Sequence, residues 1–356
     1  MLLYLKYHSF SSTSSKLISS LFILQLPIIT YSQYVYTDLI SGYLMLWGTL
    51  PLLSYLKKPS NWKLFVSSSI FGLASFLHIK LVQYTFLILV FFSIYILSKK
   101  LQIKIKSIKT IFLTKSSYVF LLKVFGLWSF FQLLFTFTMY RWYGEFSPAA
   151  AHNLLSQNSS EYSSFYTYNP VRIVQNFFGL FFGGESGLLA NAPLFVLLFA
   201  GLIIWKNKNF QSFFIVAIPS IIFFFRQSMF LKWRTWGPPA RYTIVFLPLI
   251  LPAISYSILA IWPKKIGKII VTTITLITIA FYYLLFQVQK SGYPLWINTN
   301  QYWESVFNKL NLPPNINKIT FIDLVNPNYN DIIKTAVATI FIALISFYII
   351  QQSKKY

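Results

Sequence analysis

Residues 81–97 read LVQYTFLILVFFSIYIL, and the basic tripeptide SKK follows at 98–100. The run contains no charged side chain, and it approaches the ~20 residues that a helix needs to cross the hydrocarbon core of a bilayer. A lysine pair directly after such a run is typical of a helix end at the cytoplasmic surface. This stretch therefore predicts a transmembrane helix.

Similar apolar runs recur along the chain. We predict about ten helical spans, near residues 17–30, 38–56, 62–77, 81–97, 118–139, 187–205, 210–225, 242–262, 269–288 and 335–350. The runs are continuous, whereas the strands of a membrane β-barrel alternate apolar and polar residues. The sequence predicts an all-α polytopic integral membrane protein, with residues 1–356 forming a single transmembrane domain.

Composition excludes the main alternatives. Of the 356 residues, 56% are hydrophobic and only 10% are charged. Too few polar side chains remain to cover the surface of a soluble globular protein, and the chain is too apolar for a disordered tail or a coiled coil. The absence of Cys excludes disulfides, thiol catalysis and Cys-ligated metals. His8, His78 and His152 are too scattered in sequence to indicate a metal site.

The formal net charge of +23 comes mainly from lysines in short loops between spans. Such lysines orient helices in a membrane, so we expect contact with membrane lipids and no nucleic-acid partner. With both termini in the cytoplasm of a multi-pass plasma-membrane protein, the lysine clusters at 57–58, 99–100, 206–208 and 264–268 all lie inside.

The same topology places all seven acidic residues and every Arg on the extracytoplasmic face. That face also receives the longer loops 140–186, 226–241 and 289–334, and the segment 171–182 predicts an amphipathic helix at the interface. Apart from charges at the first positions of the spans, Lys123 is the one charge inside a predicted span, and no repeat is visible, which disfavours a transporter. We therefore expect the chemistry on the outer face.

Asp38 is the most informative single residue, because it lies at the outer mouth between two predicted spans. A carboxylate at the edge of the hydrocarbon is costly and is a functional candidate. The structural alternative is a helix N-terminus, where Asp is favoured by capping and by the helix dipole. The residues alone leave both interpretations open.

Two further segments carry candidate substrate-binding residues. The loop 226–241 holds Lys232, Arg234, Trp236 and Arg241; Arg suits phosphate oxygens and Trp suits sugar faces, although both also anchor helices at a membrane interface. In 180–193, glycines flank Glu185, which is either a substrate contact or a charge near a helix start.

Four motifs in order give the chain a resemblance to a family. They are PIITYSQYVYTD at 27–38, GLASFLHIK at 72–80, FGGESGLLANAP at 182–193, and WGPPARY at 236–242 followed by LPLILP at 247–252. Together, from about residue 17 to 262, they resemble the GT-C membrane glycosyltransferases, specifically the bacterial protein-mannosyltransferase-like (family 39-like) group.

The resemblance implies sugar transfer from a polyprenyl-phosphate sugar donor to a glycan, lipid or protein acceptor on the outer face. Asp38 matches the family's second acid, and Arg241 and Tyr242 match its Pro-Arg-Tyr motif. Lys80, Lys232 and Arg234 would join Arg241 in holding the lipid phosphate. No cofactor is predicted, and the sequence leaves the need for a divalent metal open.

The chain departs from the family pattern at its start. The family begins with further helices and an outer loop that carries the principal acid, whereas no acid precedes Asp38 here. The expectation is a truncated or inactive form, or one that depends on another chain. The alternatives are a surface-polysaccharide polymerase or ligase, which needs no acid at position 38, and a non-catalytic membrane protein.

Overall fold

The computed structural model describes residues 1–23, 37–101, 115–147, 150, 167–183, 187–229, 243–289, 311 and 329–354. This described part is helical and contains no β-strand. Its helices are α1 Leu2–Tyr7, α2 Ser12–Ile23, α3 Thr37–Lys57, α4 Asn61–Ala74, α5 Lys80–Leu101, α6 Lys115–Tyr143, α7 Pro170–Phe182, α8 Leu188–Asn191, α9 Leu198–Lys208, α10 Phe210–Gln227, α11 Leu247–Ile261, α12 Lys265–Gln289 and α13 Tyr329–Ser353. The all-α prediction is confirmed for these residues.

Five helices in the described ranges are long and apolar enough to cross a membrane, namely α3, α5, α6, α10 and α13. The chain is thus a helical membrane protein. Large apolar side chains cover the outward surfaces of α6 and α13, and Leu122, Leu133 and Leu344 are each more than 60% exposed. Such surfaces suit contact with lipid tails and would be a liability in water.

The predicted spans 62–77, 187–205 and 242–262 correspond to shorter or interrupted helices, 269–288 lies within the continuous helix α12, and 24–30 of the first predicted span lies outside the described residues. The predicted span 187–205 is broken between α8 and α9, because Pro193 lacks an N–H group and the residue before it leaves the helical region; Ala192 has φ −145° and ψ 74°. In α10, a π-helical turn over Phe213–Ala217 precedes Pro219. A π-helical turn of this kind compensates for the backbone hydrogen bond that Pro219 cannot donate.

Side-chain contacts fix the relative directions of the central helices. Asp38 of α3 pairs with Lys80 at the start of α5, and Tyr55 lies 5.7 Å from Phe92 further along both helices, so α3 and α5 are parallel. The start of α10 packs on the middle of α5, and its later residue Ser220 meets Tyr84 near the beginning of α5. Helix α10 is therefore antiparallel to both.

Lysines gather where α3 ends and α4 begins. The Lys63 ammonium donates to the carbonyl oxygens of Ser54 and Lys58, at 2.9 and 2.7 Å, and so satisfies the open end of α3. Lys123, assigned to a span by sequence, is exposed and reaches Asn61 Oδ1 at 3.3 Å at the start of α4. Its charge therefore lies at this lysine-rich end and not among buried helices.

The core lies around α11, which packs against α9 and whose apolar side chains are almost all buried. The Ser257 hydroxyl donates to the Leu197 carbonyl at 2.7 Å. A Cβ built on Gly201 of α9 would lie 1.8 Å from the Ala253 carbonyl oxygen, so only glycine permits this backbone contact. The two helices touch main chain to main chain.

Replacing Gly201 with Ala should destabilise the protein by about 1–3 kcal/mol or more, because a backbone atom has to move. Gly126→Ala is the matched control, since the nearest atom to its added Cβ is a Leu122 methyl carbon at 3.8 Å. Thermal unfolding of the detergent-solubilised variants measures the difference. Equal melting temperatures for the two variants would contradict the close contact.

The short helix α1 is anchored by His8, which is only 5% exposed. Its ring is surrounded by aromatic rings with centroids 5.2–6.3 Å away, those of Tyr4, Tyr7, Phe10, Trp205 and Tyr256. Burial, together with the nearby positive charge of Lys57, lowers the pKa of His8 to about 3. The folded protein therefore holds His8 neutral.

The lowered pKa of His8 makes the stability of the protein depend on pH. The folded value lies below the unfolded value of about 6.5, so the unfolded chain binds the proton first and stability falls as the pH drops below about 6.5. We expect a loss of up to about 1.4 kcal/mol per pH unit between pH 6.5 and 4. His8→Gln should flatten melting temperature against pH in this range, whereas the control His78→Gln should not. An unchanged slope in His8→Gln would refute the buried neutral state.

Candidate functional site

Asp38 and Lys80, predicted from separate motifs, meet in a buried ion pair. The Lys80 ammonium donates to the Asp38 Oδ1 atom, and the two residues are 8% and 0% exposed respectively. Two charges withdrawn from water in this way stabilise each other only while both are present. The pair therefore fixes a carboxylate and an ammonium between the first turns of α3 and α5.

The helix dipole favours the position of Asp38 but not that of Lys80. Asp38 lies in the first turn of α3, where a negative charge interacts favourably with the helix dipole. Lys80 opens α5, where a positive charge opposes the dipole. Its placement is therefore not a helix-stabilising one. It is compensated by Asp38, and the Lys80 ammonium adds a positive charge to the positive end of the α5 dipole, which attracts negative charge.

The segment that leads into α11 packs directly beside Asp38. One turn further along α3, a Cβ built on Gly42 would lie 3.1 Å from the Ile244 carbonyl oxygen and 3.3 Å from that of Val245. Thr243 is the first described residue after the predicted cationic loop. The described chain thus resumes against α3, one turn after Asp38, immediately after the WGPPARY motif.

Helix α7 is tied to the end of α10, where the same loop begins. The side-chain amide of Asn176 donates to the Ser228 carbonyl at 2.8 Å, and the Thr167 N–H donates to the Met229 carbonyl at 2.8 Å. Asn169 starts α7 by accepting from the N–H groups of the next turn. These bonds set the position of α7 relative to residue 229.

Gly183 and Gly187, which flank the position of Glu185 in the sequence, are in direct contact. The Gly187 N–H donates to the Gly183 carbonyl at 2.7 Å, and a Cβ on Gly187 would lie 2.3 Å from that oxygen. A side chain at 187 would therefore disrupt this backbone contact.

Six predicted substrate-binding residues lie outside the described residues: Glu185, Lys232, Arg234, Trp236, Arg241 and Tyr242. Of the predicted site, Asp38 and Lys80 are described, and they are in contact. Most of the outer loops 140–186 and 289–334 also lies outside the described ranges. Those predictions stay predictions.

Sequence reasoning missed two polar side chains near the start of the cationic loop. Asn176 is 1% exposed and, with its neighbour Gln175, interrupts an apolar stretch of α7; Gln227 is 5% exposed at the end of α10. Gln227 Nε2 has no hydrogen-bond partner among the described residues. A polar residue within an apolar, aromatic run was the available signal, because burying an amide is costly unless it is bonded.

Within the described ranges, no three His, Asp or Glu side chains form a group that could hold a metal ion. Comparison of the chain with protein families, curated proteins and solved structures finds no match. The interpretation of the site therefore depends on the geometry of its own residues.

Breaking the pair from one side should destabilise the fold more than removing it entirely. Lys80→Met removes the counter-charge of the buried Asp38 carboxylate, which should cost about 3–5 kcal/mol, and the double variant Asp38→Asn/Lys80→Met should recover much of that loss. The matched control is Lys123→Met, which removes an exposed lysine that donates to Asn61 Oδ1 at 3.3 Å; it should cost below about 1 kcal/mol. Thermal melting in detergent provides the comparison, and equal losses for the two single variants would argue against the buried pair.

Proposed function

We propose that the chain is a membrane glycosyltransferase that moves a sugar from a polyprenyl-phosphate donor to an acceptor on the extracytoplasmic face of the plasma membrane. The observation that carries the proposal is the contact between Asp38 and Lys80. Sequence motifs alone nominated both residues, and their motifs lie 42 residues apart. A fixed carboxylate beside an anion-attracting cation is the combination that this transfer requires.

The proposed topology has about ten spans with both termini in the cytoplasm. The parallel α3 and α5 and the antiparallel α10 have the relative directions that this alternation requires. The lysine-rich end around Lys63 lies at the far end of α3 from Asp38. Under the rule that lysine-rich loops stay inside, the ion pair faces outward.

In the proposed reaction, an acceptor hydroxyl oxygen attacks the anomeric carbon of the donor sugar. The bond from that carbon to the phosphate oxygen breaks, and the polyprenyl phosphate leaves with the electron pair. As the match to the family's second acid, Asp38 takes the hydroxyl proton or orients the hydroxyl, because Lys80 holds its carboxylate in a fixed position. Lys80 stabilises the charge that the departing phosphate gains.

The loop residues complete the proposed site. Arg241, Arg234 and Lys232 would hold the phosphate, since guanidinium groups bind its oxygens in pairs. Trp236 and Tyr242 would stack on the sugar ring, and Glu185 would bind a hydroxyl group. The sequence supports this arrangement, because the loop ends directly before Thr243, beside the first turns of α3.

One observation favours a second candidate, a non-catalytic membrane protein. Asp38 has no exposed surface, and a buried pair between two helix starts also serves as a clamp that fixes α3 against α5. In that case the pair would contribute to folding alone. Activity measurements on folded variants separate the two candidates.

The test uses the full chain in membrane vesicles with undecaprenyl-phosphate mannose, and undecaprenyl-phosphate glucose in parallel, and it measures release of undecaprenyl phosphate. Asp38→Asn should reduce release by about 10²–10⁴-fold, the usual contribution of a general base. Arg241→Ala should abolish release while the protein stays inserted. Asp331→Asn changes another acid at a helix start and is the matched control, with release expected near the unmodified level.

Each alternative has its own result in this assay. Full release by Asp38→Asn with loss in Arg241→Ala would point to a polymerase or ligase that needs no acid at position 38. The non-catalytic clamp would be favoured if the unmodified chain released no undecaprenyl phosphate from either donor while Lys80→Met still destabilised the fold.

A further inference from the structure

A concave surface that does not include the Asp38–Lys80 pair lies between α1, α2 and α3. It is a groove with a volume of about 510 Å³, and its α3 wall is formed by Tyr43, Leu46, Trp47 and Leu50. These residues follow helical spacing and form one continuous stripe. Trp47 is 56% exposed, although it is one of the largest apolar side chains in the chain. The wall therefore presents an open apolar surface to the surroundings of the bundle.

The α2 wall of the groove adds a cation and hydroxyl groups. Lys16, Ser19 and Ser20 line it, and none of the groove-lining residues is acidic. Ser19 is only 7% exposed, yet its hydroxyl has no hydrogen-bond partner among the described residues. A buried hydroxyl without a partner is costly, so this position favours a polar group supplied by a ligand.

The cation lies toward the lysine-rich end of the bundle. Helix α2 starts at Ser12, shortly after the turn at His8, and the neighbouring Tyr7 carbonyl accepts from Lys57 at the end of α3. Lys16 lies one turn into α2, while the groove continues along α3 toward Tyr43. The polar end of the groove is therefore near the membrane surface, and the apolar part extends into the membrane.

We propose that this groove binds an anionic phospholipid. The phosphate interacts with Lys16 and accepts a hydrogen bond from the Ser19 hydroxyl, and an acyl chain lies along Leu46, Trp47 and Leu50. The occupant is set by charge complementarity, because one cation without an acid among the lining residues selects a negative head group. The apolar stripe selects a molecule that carries a hydrocarbon chain. The inference is independent of glycosyl transfer.

The experiment is native mass spectrometry of the delipidated full chain in detergent, with phosphatidylglycerol or phosphatidylcholine of identical acyl chains added. We expect phosphatidylglycerol to bind about tenfold more strongly, the contribution of one charge-assisted contact. Lys16→Gln should remove this preference. Lys264→Gln removes a lysine that is exposed and outside the groove, and it should retain the preference.

A second variant tests the apolar part of the groove. Ser20 is exposed and lines the groove, so Ser20→Phe should fill the cavity without disturbing the core and should reduce binding of both lipids. Equal binding of the two lipids by the unmodified chain, or equal losses in Lys16→Gln and Lys264→Gln, would overturn the proposal. A dimer that Ser20→Phe dissociates, with lipid binding unchanged, would assign the groove to a second copy of the chain.

Discussion

The hydrocarbon interior of a membrane offers no water to a charged side chain, and this constraint orders the whole chain. Charges are confined to helix ends, where they reach the surface or meet a partner. Lys63 and Lys123 reach the surface at the lysine-rich end, where they bind polar atoms. Asp38 and Lys80 meet each other as partners, because they lie buried between helix starts and neutralise each other. The charges thus divide the bundle into a lysine-rich end and an opposite end that holds the buried Asp38–Lys80 pair.

The buried pair has opposite implications for stability and for chemistry. A carboxylate that is fully covered is well oriented and well protected from water, which favours proton transfer once a substrate is bound. The same cover means that a substrate has to displace neighbouring groups before it reaches the Asp38 oxygen. A donor phosphate that attracts Lys80 would loosen its hold on Asp38, so binding and exposure of the carboxylate would be coupled through a single ammonium group.

Sequence patterns predicted the helical class and the position of most helices, because apolar runs of sufficient length have few other uses. They were less successful at helix limits. The break at Ala192 and the π-helical turn before Pro219 depend on local proline geometry, which hydropathy does not register. For the site, the motifs nominated Asp38 and Lys80 separately, and their contact required the three-dimensional packing of α3 on α5. The groove beside α2 went unnoticed, since its residues come from three helices and share no motif.

The contact between α9 and α11 has a mechanical consequence. Gly201 lets the two backbones touch, and the bond from Ser257 to Leu197 joins them at a second point. Two helices held in this way move as one rigid body, because any sliding between them meets a main-chain oxygen. The segment before α11 rests on Gly42 beside the ion pair. The start of α3, and with it the Asp38 carboxylate, therefore rests against this rigid block.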